Sequence, residues 1–242
     1  MSDEVRLVGG DMNVVVRIED TVRRPPEPRG VQELLRWYEH VGFDGAPRFL
    51  GLDEQGREML SFVEGDPAFA PVPSSDEVVA AIGRLLREAH DAQAGFEAPS
   101  DPGWLRPTDG RPEVIGHTDL FWTNVVFRAG LPVAFIDWEM AAPTTRALDV
   151  ALAATWWAGT RIDEQLLEWG ISLERRGERL RILCDAYGLD RTQRASLLPE
   201  LIAHRRSALD RGAIRGTTKP ETILANLRWT EDRAAELDTF LS

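Results

Sequence analysis

Residues 116–141 read GHTDLFWTNVVFRAGLPVAFIDWEMA. With the preceding EVI, the text is strand, loop, strand: an apolar run to Gly116, a polar loop to Asn124, VVF, a turn at Ala129-Gly130, and PVAFID. The spacing therefore puts His117, Asp119 and Asn124 on a loop and Asp137 at the end of an apolar strand.

Upstream, VRLVGGDMNVVVRIEDTVRR from Val5 to Arg24 breaks short β-branched runs at Gly9-Gly10-Asp11 and at Glu19-Asp20, which predicts three antiparallel strands. Pro25, Pro26 and Pro28 stop the sheet, and Val31, Leu34, Leu35 and Tyr38 recur at helical spacing until Gly42. RFLGLDE and REMLSFVEG flank Gln55-Gly56 as a hairpin, and Glu64-Gly65-Asp66-Pro67 reads as a connector. A first lobe of residues 1–65 and a second of 66–242 follow. The next helix starts at a capping box, Ser74 with Glu77, and buries Val78, Ile82, Leu85, Leu86 and Ala89. The Pro- and Gly-rich stretch from Gly95 to Arg111 is a connector pinned by Trp104 and Leu105. From Asp149 onward, leucines at spacings of three and four predict a helical lobe.

Composition bounds the function. The 242 residues carry a net charge of −12, a field that repels nucleic acid and anionic membrane. No apolar run is long enough to cross a bilayer, and MSDEVRLVGG has no export pattern, so the expected location is the cytoplasm. The single cysteine, Cys184, sits on the apolar side of a helix and reads as a buried structural thiol. Lys219 is the only lysine, which excludes any mechanism that needs one early in the chain.

The central loop has the parts of a phosphoryl-transfer site. Such chemistry needs a group to orient the attacking hydroxyl, ligands for magnesium ions that bridge the phosphates, and positive charge over the phosphate chain. His117-Thr118-Asp119 with Asn124 matches H-x-D-x-x-x-x-N, and Asp137 follows on a strand end. Asp119 is the hydroxyl-orienting candidate, and Asn124 and Asp137 are the metal candidates. His117 reads as a loop brace that hydrogen-bonds backbone rather than as a proton carrier.

On these residues the chain resembles the aminoglycoside phosphotransferase and choline kinase group, the phosphotransferase enzyme family. The resemblance runs from the GG hairpin through FVEGDP and LLREAHDA to IDWEMAAPTTRALDVA. It implies an α+β, two-lobed protein-kinase-like fold with a small antiparallel-sheet N-lobe and a larger, mainly helical C-lobe. The implied activity is transfer of the γ-phosphoryl group of ATP or GTP, with Mg2+, to a hydroxyl of a small molecule. It makes Asp119 the catalytic carboxylate, Asn124 and Asp137 the magnesium ligands, and Asp149 the brace of the catalytic loop. Gly9 and Gly10 would cradle phosphate, or simply form a turn, and Phe62 and Val63 would line the nucleotide site at the hinge. The usual third-strand lysine is replaced by Arg24 or its neighbour Arg23, and arginine keeps the charge while changing the geometry. The usual helix glutamate falls near Val31, leaving Gln32 or Glu33 and no good ion pair. Glu139, Asp163, Glu164 and Glu168 are candidates for an acidic pocket suited to a cationic acceptor. Trp138, Trp156, Trp157 and Trp169 are either an aromatic wall or core packing, with packing the expected role. A nucleotide-binding pseudoenzyme that kept the fold and lost transfer is the alternative.

Overall fold

The computed structural model describes residues 4–7, 15–67, 75–106, 111–168, 173–211 and 219–242. Its first part is a five-stranded antiparallel sheet in the order β1-β2-β3-β5-β4, from β1 (Val5–Arg6), β2 (Val16–Ile18), β3 (Thr21–Arg24), β4 (Phe49–Leu52) and β5 (Glu58–Ser61). The Glu19-Asp20 turn joins β2 to β3, with Glu19 at φ 53°. The 53–57 turn joins β4 to β5 and is closed by the Asp53 carboxylate, which accepts from the Gln55 and Arg57 amides. Pairing of β3 with β5 sets Arg24 opposite Glu58, a cross-strand neighbour pair of opposite charge.

Helix α1 (Arg29–Val41) lies between β3 and β4. Val31, Leu34, Leu35 and Tyr38 form its buried stripe, each no more than 1% exposed, and each contributes about 1.5–3 kcal/mol of burial. Gly42 ends it in the left-handed conformation at φ 76°, where its N–H reaches back to the Glu39 carbonyl.

Asp66 and Pro67 are more than a connector. They form a short strand, β6 (Asp66–Pro67), that pairs with Val126 and Phe127. Helix α2 (Asp76–Asp91) starts one residue later than the sequence suggested: the cap is Ser75, whose hydroxyl accepts from the Val78 N–H at 3.2 Å. Ser74 lies outside the described residues. Then come β7 (Val114–Gly116), a single 3-10 turn at Trp122–Asn124, β8 (Val125–Arg128) and β9 (Leu131–Phe135). A second 3-10 turn at Trp138–Met140 leads into β10 (Ala142–Thr144). β8 and β9 form the expected hairpin through Ala129-Gly130, whereas β7 pairs with β10, so the polar loop passes from one small sheet to another.

The rest is helical: α3 (Arg146–Trp157), α4 (Asp163–Glu168), α5 (Arg176–Tyr187), α6 (Arg191–Arg211) and α7 (Pro220–Asp238). α5 packs on α2, and α6 packs between α3 and α7. One apolar cluster runs from Val31 and Leu60 through Ile82, Val125 and Trp138 to Leu180, Leu201 and Trp229, so sheet and helices share a core. Cys184 is fully buried within it, and burial pushes its thiol up to about 12. Among the described residues no helix is long and apolar enough to cross a membrane.

Candidate active site

The polar loop between β7 and β8 is held from below by one carboxylate. Asp149, on the first turn of α3 and 1% exposed, accepts the His117 N–H at 3.1 Å and the Thr118 N–H at 2.8 Å. His90 of α2 puts Nε2 3.0 Å from the same carboxylate, and its Nδ1 lies 2.7 Å from the Tyr187 hydroxyl. The carboxylate reaches the loop because residue 116 is glycine: a Cβ there would sit 2.6 Å from Asp149 Cγ and 2.5 Å from Thr144 Cγ2. Thr118 adopts φ 61°, rare for a β-branched residue, and is fixed there by Asp149 at its amide and by the Met140 carbonyl, which accepts from its hydroxyl at 2.6 Å.

His117 is buried, and its Nε2–H donates to the Ile136 carbonyl at 2.9 Å. Burial holds its pKa below the ordinary histidine value, so the ring is neutral and ties the loop to the end of β9. Asn124 Nδ2 donates to the Asp119 backbone carbonyl at 2.9 Å, which closes the loop and leaves Oδ1 as the acceptor atom of that amide. Burial raises the Asp119 carboxyl above the ordinary range; the Arg106 guanidinium opposes the shift, and Asp137 adds to it. A raised carboxylate pKa is what a group that accepts a proton near neutrality needs.

Asp137 follows β9 in the left-handed region, at φ 62° and ψ 59°. Its Oδ1 accepts from Arg24 Nη1 at 2.8 Å, an ion pair that spans β3 and the catalytic region, and its side chain is 38% exposed. Arg24 is also gripped from its own lobe: Nε donates to Glu58 Oε1 at 2.6 Å, and Nη2 donates to Glu27. Glu58 Oε2 in turn accepts the Glu27 amide at 3.0 Å. Glu58 is completely buried, and that burial raises its pKa against the pull of Arg24. The ion pair that the helix text seemed to lack is therefore present, supplied by β5 and by the turn after β3. Gln32 only donates to the Glu27 carbonyl and toward Glu58, and Glu33 pairs with Arg36 at the surface. Between the two arginine candidates, the structure separates their partners: Arg23 lies 3.7 Å from Asp53, away from Asp137.

Gly9 and Gly10 lie outside the described residues, as does Trp169. The Phe62 N–H donates to the Asp20 carbonyl at 2.8 Å and its ring lies under Arg17, while Val63 follows half-buried. Glu139 lies on the second 3-10 turn, after β9. Asp163 is spent on Arg176 at 2.9 Å and on Trp229 Nε1 at 3.1 Å, and Glu164 and Glu168 face solvent on α4. Of the tryptophans, Trp138 and Trp157 are core, bonded to the Phe135 and Leu120 carbonyls, whereas Trp156 packs edge-on to Phe121 of the loop. Sequence reasoning missed Glu27, Glu58 and Arg106. Only the register of β3 on β5 reveals Glu58.

Asn124 and Asp137 offer hard oxygen donors, one amide and one carboxylate. Magnesium commonly takes such a pair, completing its octahedron with water and phosphate. Among the described residues no three His, Cys, Asp or Glu side chains form a metal cage.

Residues 102–183 match the model of the phosphotransferase enzyme family. The chain is 39% identical over 241 residues to the trifolitoxin immunity protein of Rhizobium leguminosarum bv. trifolii, covering 95% of this chain and 91% of that protein. A choline/ethanolamine kinase family protein from Mesorhizobium loti superposes with TM-score 0.63 over 99% of this chain and 92% of its own, at 14% identity. The GDP complex of wild-type aminoglycoside 2′-phosphotransferase-IIIa does so with TM-score 0.55 over 97% and 93%, also at 14% identity. Sequence and architecture agree: the chain belongs to the phosphotransferase enzyme family and has the two-lobed, protein-kinase-like fold.

Proposed function

We propose that this protein is a magnesium-dependent small-molecule kinase that transfers the γ-phosphoryl group of ATP or GTP to an acceptor hydroxyl. The observation that carries this reading is the braced loop: Asp149 holds the His117 and Thr118 amides, Asn124 closes onto the Asp119 carbonyl, and desolvation raises the pKa of the half-exposed Asp119 carboxyl. Asp119 accepts the hydroxyl proton as the acceptor oxygen attacks. The bond from Pγ to that oxygen forms while the bond to the β-bridging oxygen breaks, and the nucleoside diphosphate leaves. Asn124 Oδ1 and the Asp137 carboxylate would hold Mg2+, whose charge neutralises the phosphate chain. Arg24, oriented by Glu27 and Glu58, supplies positive charge to the phosphates, and Gly9, Gly10, Phe62 and Val63 complete the nucleotide side. His117 and Asp149 keep the loop in shape without touching the reacting atoms. The division at residues 65 and 66 fits the change of sheet at β6, and a cytoplasmic nucleotide pool is the expected source of the donor.

Replacing Asp119 with alanine should lower kcat by about 10²–10⁴-fold while the unfolding transition keeps its midpoint. Full turnover by the variant would remove Asp119 from the mechanism.

A second reading, a nucleotide-binding module without transfer, draws on the Arg24–Asp137 ion pair, which occupies one oxygen of a metal ligand. Mg-ATP that raises the melting temperature yet phosphorylates no alcohol in a broad panel would favour it.

A further inference from the structure

Arg146 and Asp149 share the first turn of α3, and a hydrogen-bonded chain through two other helices joins them. Arg146 Nη1 donates to the Tyr187 hydroxyl at 3.0 Å, that hydroxyl lies 2.7 Å from His90 Nδ1, and His90 Nε2 lies 3.0 Å from Asp149 Oδ2. His90 stands in the last turn of α2, and Tyr187 ends α5. The two rings meet edge-on with centroids 5.6 Å apart, and they are 2% and 1% exposed. The helices come this close because residue 83, about two turns before His90, is glycine. A Cβ there would lie 2.7 Å from the Leu183 carbonyl oxygen, about one turn before Tyr187.

Donors and acceptors fix the direction of the chain. Asp149 already accepts the His117 and Thr118 amides, and an ionised carboxylate has no hydrogen to give, so His90 Nε2 supplies the hydrogen of the third bond. The neutral ring then presents a bare Nδ1, which accepts the Tyr187 O–H, while the hydroxyl oxygen accepts from Arg146. Among the described residues that hydroxyl meets only these two nitrogens. Burial pushes its pKa up to about 12, so the hydrogen stays on it at neutral pH. The outer end is anchored as well: Arg146 Nη1 lies 2.9 Å from Asp91 at the surface. Hydrogen bonds in a chain polarise one another. The guanidinium therefore strengthens the Tyr187 hydroxyl as a donor, and the hydroxyl strengthens Nε2–H as the donor to Asp149.

We propose that Tyr187 is a positioning residue for the loop from His117 to Asn124: its hydroxyl, held by Arg146, fixes the His90 ring as the donor to Asp149, and Asp149 sets the loop that carries Asp119. Tyr187 touches no reacting atom and acts through His90. That the loop is catalytic rests on the kinase reading above; that Tyr187 orders it does not.

The test is Tyr187→Phe, which keeps the ring and removes the hydroxyl, studied by nitrogen NMR and hydrogen exchange. Exchange at the Thr118 amide should rise about tenfold more than at the core Leu197 amide of α6, because a buried imidazole nitrogen loses its donor. The His90 Nδ1 resonance should move downfield as that bond is lost, a signature that a packing role would not produce. In a His90→Gln background the same substitution should change Thr118 exchange by less than about twofold. Arg146→Gln spares both rings and should move the Nδ1 resonance the same way by less. ADP release from Mg-ATP to water should fall about tenfold in kcat in Tyr187→Phe, with KM for Mg-ATP within about twofold. Equal acceleration of Thr118 exchange in both His90 backgrounds overturns the inference. So does a Tyr187→Phe variant in which exchange and resonance are unmoved, or an Arg146→Gln variant whose Nδ1 resonance stays in place. A wild type that releases no ADP counts against the kinase reading, and the exchange and resonance results still decide Tyr187.

Discussion

Asp149→Ala should unfold the loop from His117 to Asn124 without removing any group proposed to act on substrate. The substitution withdraws the acceptor from three buried donors, the His117 amide at 3.1 Å, the Thr118 amide at 2.8 Å and His90 Nε2 at 3.0 Å. A hydrogen bond to an ionised acceptor contributes about 1.5–3 kcal/mol, and a buried donor left unmet costs about 1–3 kcal/mol. Against this, the variant no longer pays for desolvating a carboxylate. The net loss should be about 3–5 kcal/mol, the range for removing one partner from a buried charged network. At about 2–4 °C per kcal/mol for a chain of this size, the melting midpoint falls by roughly 10 °C. The decisive assay pairs urea unfolding with hydrogen exchange at the Thr118 amide, which sits at φ 61° and donates to Asp149. Asp149→Asn keeps one acceptor oxygen and should lose about half as much. A loss below about 1 kcal/mol for the alanine variant, with the Thr118 amide still protected, would refute the brace.

Other outcomes follow from the same contacts. Glu58→Gln removes the strand-side grip on Arg24 and should weaken Mg-ATP binding about tenfold by calorimetry, or ~1.4 kcal/mol; unchanged affinity would confine the pair to holding the sheet. Gly116→Ala drives a Cβ to within 2.6 Å of Asp149 Cγ and should cost about 1–3 kcal/mol as overpacking, read as a lower urea midpoint; a neutral substitution would show that the loop can retreat from Asp149. Acid should destabilise the protein in two stages. Burial depresses the His117 pKa, so the unfolded chain alone takes up that proton and stability falls as pH drops through 6.5. For Asp149, burial raises the pKa, but the His90 and loop-amide interactions together outweigh it. Its contribution is present above pH 3.8 and is lost as pH falls through the lower folded value. A urea midpoint that stays constant from pH 7 to pH 5 would contradict the first stage.

What the text disclosed and what it hid divide by range along the chain. The loop from His117 to Asn124 was legible because its groups are fixed by local spacing. The same holds for the buried stripe of α1 and for Gly42, since a 3.6-residue period and a left-handed cap are written in consecutive letters. Glu58 was hidden because its pairing with Arg24 depends on the register between strands 34 residues apart. Glu27 lies near Arg24 in sequence, but only the path of the chain after Pro25 and Pro26 turns it back. Arg106 comes from a loop whose text gives no direction at all. The acidic candidates meet a related limit: a charge on a helix face chooses among neighbours that the sequence does not name, and Asp163 pairs with Arg176 and Trp229.

The guanidinium on β3 also changes how the proposed nucleotide site can be approached chemically. Amine-acylating nucleotide analogues work by transferring their label to a nearby lysine, and Lys219 at the start of α7 is the only one in the chain. Arg24, a guanidinium gripped by two glutamates, offers no amine to such reagents. A survey of nucleotide-dependent enzymes by lysine capture would therefore pass over this protein even with its site fully engaged.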